Sequence, residues 1–201
     1  FLNYSFRRLK IMQDVIKKNF SEHLDVINKV LDSNFDSIYL FGDLLSTCLE
    51  NDGTIFWCGN GGSASDSQHI AAELVGRFNK ERRALKSIAL TTDTSILTSV
   101  GNDYGFENIF SRQLEGLGSS GDILVGISTS GNSENIIRAF QTAKELGITS
   151  ILLSGKDGGK AKKNSDHSLV INSDTTARIQ EAHILIGHIL CELIEERLQL
   201  V

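Results

Sequence analysis

Proline is missing from all 201 residues, an absence that carries no functional reading. The other scarcities say more. Cys48, Cys58 and Cys191 are the only cysteines; they are widely spaced, sit in apolar surroundings and form no CxxC pair. Neither a disulfide framework nor a thiolate zinc site is indicated, and buried free thiols in a reducing cytoplasm are expected. No apolar run reaches the roughly 18 residues of a membrane helix, and no leader pattern marks the N-terminal stretch. The chain opens on Phe1 instead of Met, so a few preceding residues are expected. A net charge of −5 lacks the basic excess of a nucleic-acid binder. The nearest basic cluster, Lys80-Glu81-Arg82-Arg83, reads as a solvated loop. Neither nucleic acid nor membrane is an expected partner.

A length of 201 residues, with 40% hydrophobic and 22% charged content, fits one α/β domain with a real core. Its organising stretch is Thr54 to Arg77. Ile55-Phe56-Trp57-Cys58 has the length and composition of a buried parallel strand. Gly59-Asn60-Gly61-Gly62 then turns tightly and leaves room for a ligand against the main chain. Ser63 is the expected N-cap of a helix over residues 64–77. Strand, glycine turn and helix start together make an anion site, because free N–H groups and the positive helix end converge.

Ahead of this stretch, helical patterns over about residues 6–31 and 35–49 predict an N-terminal hairpin suited to an oligomer interface. His23 there is expected to be a surface or interface residue. Beyond it, strands are predicted at residues 87–91, 122–127, 150–153 and 167–171. Helices are predicted at 95–100, 107–117, 134–146, closed by Gly147, and from 176 to about 198. The expected architecture is a three-layer α-β-α sandwich around a five-stranded parallel sheet. Residues 1–50 form the hairpin unit and residues 51–201 the sheet domain. Ligands of such sheets bind beyond the carboxyl ends of the strands. The glycine turn, Asp93 and the turn Ser128-Thr129-Ser130-Gly131-Asn132-Ser133 all fall there.

Two rival readings of the glycine turn fail. Gly59-x-Gly61-x-x-Ala64 matches a loose dinucleotide fingerprint, but Asp93 comes about thirty residues on instead of twenty. No Gly-Lys-Ser/Thr follows, which excludes a Walker A loop. Four hydroxyls within six residues at the second turn favour a phosphate pocket over an ordinary serine-rich loop. His69 and Glu73 stand four apart on one helix face. Gln180 and His188 lie two turns apart and about 80° apart round their helix, so they can converge on a pocket; His183 points about 140° from His188. Taken singly, each of these is an ordinary polar or core residue. Taken together, a carboxylate and an imidazole beside a phosphate pocket suit proton transfer α to a carbonyl. His69, Glu73, Gln180 and His188 also form a reasonable zinc shell.

At these residues the sequence resembles the phosphoheptose isomerase family of sugar isomerase (SIS) domains. The matching segments are CGNGGSASDSQHIAAELVGR, ALTTD, VGNDYGF, GISTSGNSENI, SGKDGG and ARIQEAHILIGHIL, in order over about residues 50–195. The resemblance implies the SIS fold and a cytoplasmic homotetramer with active sites between subunits. It also implies conversion of sedoheptulose 7-phosphate into D-glycero-D-manno-heptose 7-phosphate, the entry step to ADP-heptose for lipopolysaccharide or capsule. In that scheme Glu73 is the base between C1 and C2 and His188 the acid at the neighbouring oxygen. One Zn²⁺ per subunit lies on His69, Glu73, Gln180 and His188. Asn60, Gly61, Gly62, Ser63, Asp93, Ser128, Thr129, Ser130, Ser133 and Gln180 match sugar-phosphate contacts, and Arg77 a further active-site residue.

Glu73 and His188 thus carry two duties, since a metal-bound carboxylate or imidazole is a poorer proton carrier. Either the metal polarises sugar oxygens while one ligand loosens, or it partly stabilises the site. A non-enzymatic relative binds a replication initiator protein and lacks the equivalents of Glu73 and His188. The presence of both here favours an enzyme. Isomerases of other phosphosugars usually carry additional domains, and none is expected here.

Overall fold

Apolar runs bounded by glycine and hydroxyl-rich turns become five parallel strands in one sheet of order β2-β1-β3-β4-β5. The computed structural model describes residues 2–199, so Phe1, Leu200 and Val201 of the two expected units lie outside the described residues. The strands are β1 (Ile55–Gly59), β2 (Ser87–Ala89), β3 (Ile123–Ser128), β4 (Thr149–Gly155) and β5 (His167–Ile171). The register pairs Ile55 with Ser87 on one side and with Ile123 on the other. Side chains alternate across the pleat and build a core on each face. Ile55, Trp57, Val125, Ile151 and Leu169 pack with α1 (Leu2–Glu50), α2 (Gly62–Val75) and α6 (Thr176–Arg197). Phe56, Cys58, Leu124 and Leu152 pack opposite, with α3 (Thr94–Asp103), α4 (Ser111–Leu117) and α5 (Glu134–Leu146). Both faces are covered, as an all-parallel sheet requires.

Local signals predict several boundaries well. α5 ends at Gly147, which takes the left-handed conformation (φ 71°) that glycine adopts without penalty. β5 and the start of α6 fall where expected. β2 is shorter than predicted: Leu90 N still donates to the Trp57 carbonyl (2.9 Å), but the chain then turns off this edge strand. The predicted helix over 107–117 is split into a 3₁₀ turn, Phe106–Asn108, and α4.

The N-terminal hairpin is not formed. α1 is one continuous helix of 49 residues, about 74 Å long at 1.5 Å per residue. The segment Asp32-Ser33-Asn34 reads as a turn, yet it holds no glycine or proline, and each of its residues costs only tenths of a kcal/mol in a helix. The inward face also runs through it in phase. Val26, Val30, Phe41, Leu45 and Cys48 are buried, and Asn34 and Ile38 are half-buried between them, at steps of three and four. A turn at Asn34 would break that stripe.

β1 is followed by α2 on one face, and β3 by α5 on the other. The gap between the ends of β1 and β3 is therefore the point where the winding reverses, the usual ligand crevice of such sheets.

Candidate active site

The two helix starts that flank this crevice are both left without a side-chain cap. Gly61, not Ser63, is the N-cap of α2; it makes no side-chain cap, and Ser133 at the start of α5 makes none either. Ser63 lies inside the first turn of α2, buried, with its N–H donating to the Asn60 carbonyl (3.0 Å). The helix begins earlier than expected, at Gly62, a position where any Cβ would strike the Gln180 side chain. Two uncapped N-termini aimed at one crevice suit an anion.

Asn135, which sequence reasoning missed, joins the two corners. Its amide exchanges two hydrogen bonds with that of Asn60, at 2.9 and 2.8 Å. No local pattern marks Asn135, since its partner is 75 residues away. Within the serine turn, Ser128 Oγ and Ser133 Oγ are 3.1 Å apart, and Ser130 Oγ accepts from Asn132 N (3.2 Å). Thr129 and Ser130 are half-buried at the rim. Gly131 has φ 63°, and a Cβ there would lie 1.9 Å from the Gly158 carbonyl oxygen. Ala161 N also donates to the Gly131 carbonyl (2.8 Å). The loop after β4 thus clamps the serine turn from behind.

The chemistry-bearing side chains lie along the α2–α6 contact. Gly187 allows it, because a Cβ there would come within 2.6 Å of Ile70. His188 therefore reaches His69, with their Nε2 atoms 3.5 Å apart, and His69 Nε2 lies 3.2 Å from Glu73 Oε1. The three donor atoms all fall within 4.8 Å of one another. A tetrahedral zinc at about 2.0–2.1 Å from its ligands would separate donors by roughly 3.3–3.4 Å; two imidazoles and a carboxylate suit it in chemistry, and the two separations that His69 makes are close to that spacing. Phe78 stacks on His188, with centroids 5.5 Å apart and planes at 18°.

A scan of the chain against family models matches the SIS domain over residues 19–155. Phosphoheptose isomerases of Nitratiruptor sp. and Campylobacter jejuni are 55% and 54% identical to it, each alignment covering 92% of this chain and 99% of theirs. The solved structure of phosphoheptose isomerase from Neisseria gonorrhoeae superposes with a TM-score of 0.88 at 44% identity, covering 92% of this chain and 99% of that one. The chain belongs to the phosphoheptose isomerases of the SIS domain family.

Gln180 sits at the other end of the α2–α6 contact. Its amide lies over the glycine corner, where a Cβ on Gly62 would be 2.4 Å from Gln180 Nε2. About 12 Å of helix rise separates it from His188. The side chain is therefore placed to meet a ligand at the helix start. Asp93 caps α3 by accepting from Ile96 N (2.9 Å), which occupies one carboxylate oxygen. Arg77 is exposed just beyond α2, 3.7 Å from Glu81. His23, expected to be a surface or interface residue, is half-buried, with Nδ1 2.8 Å from Glu181 Oε2.

His183 has a structural part. It is buried, and Nε2 lies 3.1 Å from the Ser154 carbonyl. A carbonyl only accepts, so Nε2 carries the proton. Burial pushes the imidazole down to about 4, despite that hydrogen bond, and keeps it neutral. Ser154 Oγ in turn donates to the Ser128 carbonyl (2.7 Å), linking α6 to the serine turn through β4. The three cysteines are free and buried. Burial raises all three thiols, Cys48 to about 11 and Cys191 to about 12, so they stay protonated.

The basic cluster departs most from expectation. Arg82 is not solvated: it pairs with Glu195 at 2.9 Å, and both side chains are only 1% exposed. Among the described residues, no helix is long and apolar enough to cross a membrane.

Proposed function

We propose that this chain is an aldose–ketose isomerase converting sedoheptulose 7-phosphate into D-glycero-D-manno-heptose 7-phosphate. The observation that carries this reading is the meeting of Glu73 and His188, from different helices, on the α2–α6 pair whose other end forms the glycine corner. Gly62 and His69 are about 10 Å apart along α2, of the order of an extended seven-carbon sugar phosphate. The serine turn, Asn60 and the α2 start grip the phosphate, and Gln180 steadies the sugar beside them. Glu73 takes the C1 proton of the ketose and returns it to C2 of the enediol. His188 moves the matching proton between the two oxygens. Arg77 and Asp93 contact the sugar from the rim.

His69, Glu73 and His188 would hold a Zn²⁺, which supplies polarisation of the substrate's oxygens when bound. Gln180 serves as fourth ligand only if its amide leaves Gly62. The reading also includes a cytoplasmic enzyme that assembles as a homotetramer. In support, Met12, Ile16, Phe20, Leu24, Leu31, Phe35 and Tyr39 form an exposed apolar seam along α1.

The test is incubation with sedoheptulose 7-phosphate and chromatography for an aldoheptose phosphate. Absence of product from zinc-loaded protein, together with tight binding to a replication initiator, would replace the isomerase by a scaffold. Sedimentation at micromolar concentration checks the tetramer.

A further inference from the structure

The buried pair Arg82–Glu195 has no part in the chemistry above, yet its hydrogen bonds end on the residues that do. Glu195 Oε1 accepts from Phe78 N (3.1 Å) and Arg82 Nε (2.9 Å), and Oε2 accepts from Asn79 N (3.0 Å) and Lys80 N (3.1 Å). Burial pushes this carboxyl up, but the four donors outweigh burial and hold it below the usual carboxylate range. Arg82 donates from Nη2 to the Glu73 carbonyl (2.8 Å) and from Nη1 to those of Leu74 (2.9 Å) and Arg83 (3.0 Å). A cation thus covers carbonyls of the last turn of α2, where the helix end is negative.

We infer that Arg82 and Glu195 are positioning residues for the reaction, acting on Glu73 through its carbonyl and on His188 through the ring of Phe78. Three observations carry this. Arg82 is bonded to the main chain of Glu73 itself. Glu195 is bonded to the main chain of Phe78, whose ring lies flat on His188. Glu195 also sits on α6 seven residues beyond His188, about 20° from it round the helix, so the pair joins both helices below the cluster. A fully hydrogen-bonded buried ion pair is weak evidence for stability, because well-packed apolar residues often do as well. Its value here is geometric: it sets the spacing of an imidazole and a carboxylate that must share one proton path or one metal.

The inference rests on the roles proposed for Glu73 and His188, and the experiment separates the two. Glu195→Gln keeps the shape but turns an amide N–H₂ toward main-chain donors. Outer partners of ligands typically contribute 10–100-fold to metal affinity or activity. We expect Glu195→Gln to lower both kcat and zinc affinity, measured by chelator competition without substrate, by about 10–100-fold. KM should stay within about threefold, because the phosphate grip is untouched. Phe78→Leu, which leaves the ion pair intact, should shift kcat and zinc affinity the same way by about tenfold; it decides the matter should Glu195→Gln fail to fold. Folded variants that lose only melting temperature, with kcat and zinc affinity near wild type, would overturn the inference. Glu73→Gln is run in parallel. Wild-type turnover there removes the base assignment, whereas normal loss there with unaffected Glu195→Gln and Phe78→Leu removes only the positioning role.

Discussion

The two ends of the α2–α6 contact are built from opposite materials. The upper end, at Gly59–Gly62 and Ser128–Ser133, consists of turns, main-chain donors and hydroxyls, with no Lys or Arg in either segment. The lower end, at His69, Glu73 and His188, consists of side chains on helices, backed by a buried ion pair and a stacked ring. Main-chain donors at a helix start hold a phosphate whatever sugar it carries. A carboxylate and an imidazole meeting at a fixed spacing do chemistry on whatever reaches them. Under the proposed function, grip and reaction are separable, and the distance between them would select the substrate.

The sharpest way to break this division is Glu73→Gln. Turnover should fall at least a hundredfold, the usual contribution of a general base, while binding of the phosphosugar measured by calorimetry persists. Activity within tenfold of wild type would remove Glu73 from the mechanism. At the other end, Gly131→Ala forces a Cβ onto the Gly158 carbonyl at a left-handed position. It should lower folding stability by about 1–3 kcal/mol in chemical denaturation and loosen substrate binding with it. Ser130→Ala is milder: KM should rise several-fold, in line with about 1 kcal/mol for one hydrogen bond, with kcat nearly unchanged. An unaltered KM would detach the serine turn from the phosphate.

The smallest effect at neutral pH belongs to His183→Gln. His183 has its pKa lowered by burial to about 4, so its contribution is complete above the unfolded value near 6.5 and is lost as pH falls toward 4. Over that window the loss is on the order of 3 kcal/mol. Gln keeps a donor for the Ser154 carbonyl but does not titrate, so the acid limb of the stability profile should flatten. A profile that keeps its full slope would assign the acid sensitivity elsewhere.

What was legible beforehand follows the range over which each signal acts. Strand runs other than the end of β2, the cap at Gly147 and the four-residue spacing that puts His69 beside Glu73 are local signals, and the structure follows them. The hairpin expected from the patterns over about residues 6–31 and 35–49 is absent, because the inward stripe carries one helix through Asp32-Ser33-Asn34 in phase. Ser63 reads as the cap in the sequence because glycines signal a turn, whereas Gly61 is the cap and Gly62 the first residue of the helix. Arg82 reads as solvated in the sequence because its partner, Glu195, is 113 residues away. Asn135 was overlooked for the same reason. Pairings across the fold leave no periodic trace in the chain.

The long first helix carries one more implication. Its outer seam is a strip of oily side chains that its own chain leaves bare, so under the proposed assembly the abundance of the protein becomes a working variable. In dilute solution copies would part and the strips would meet water; in a crowded cell they would stay closed against each other. The proposed homotetramer would then lose specific activity on dilution and regain it on concentration, without any effector.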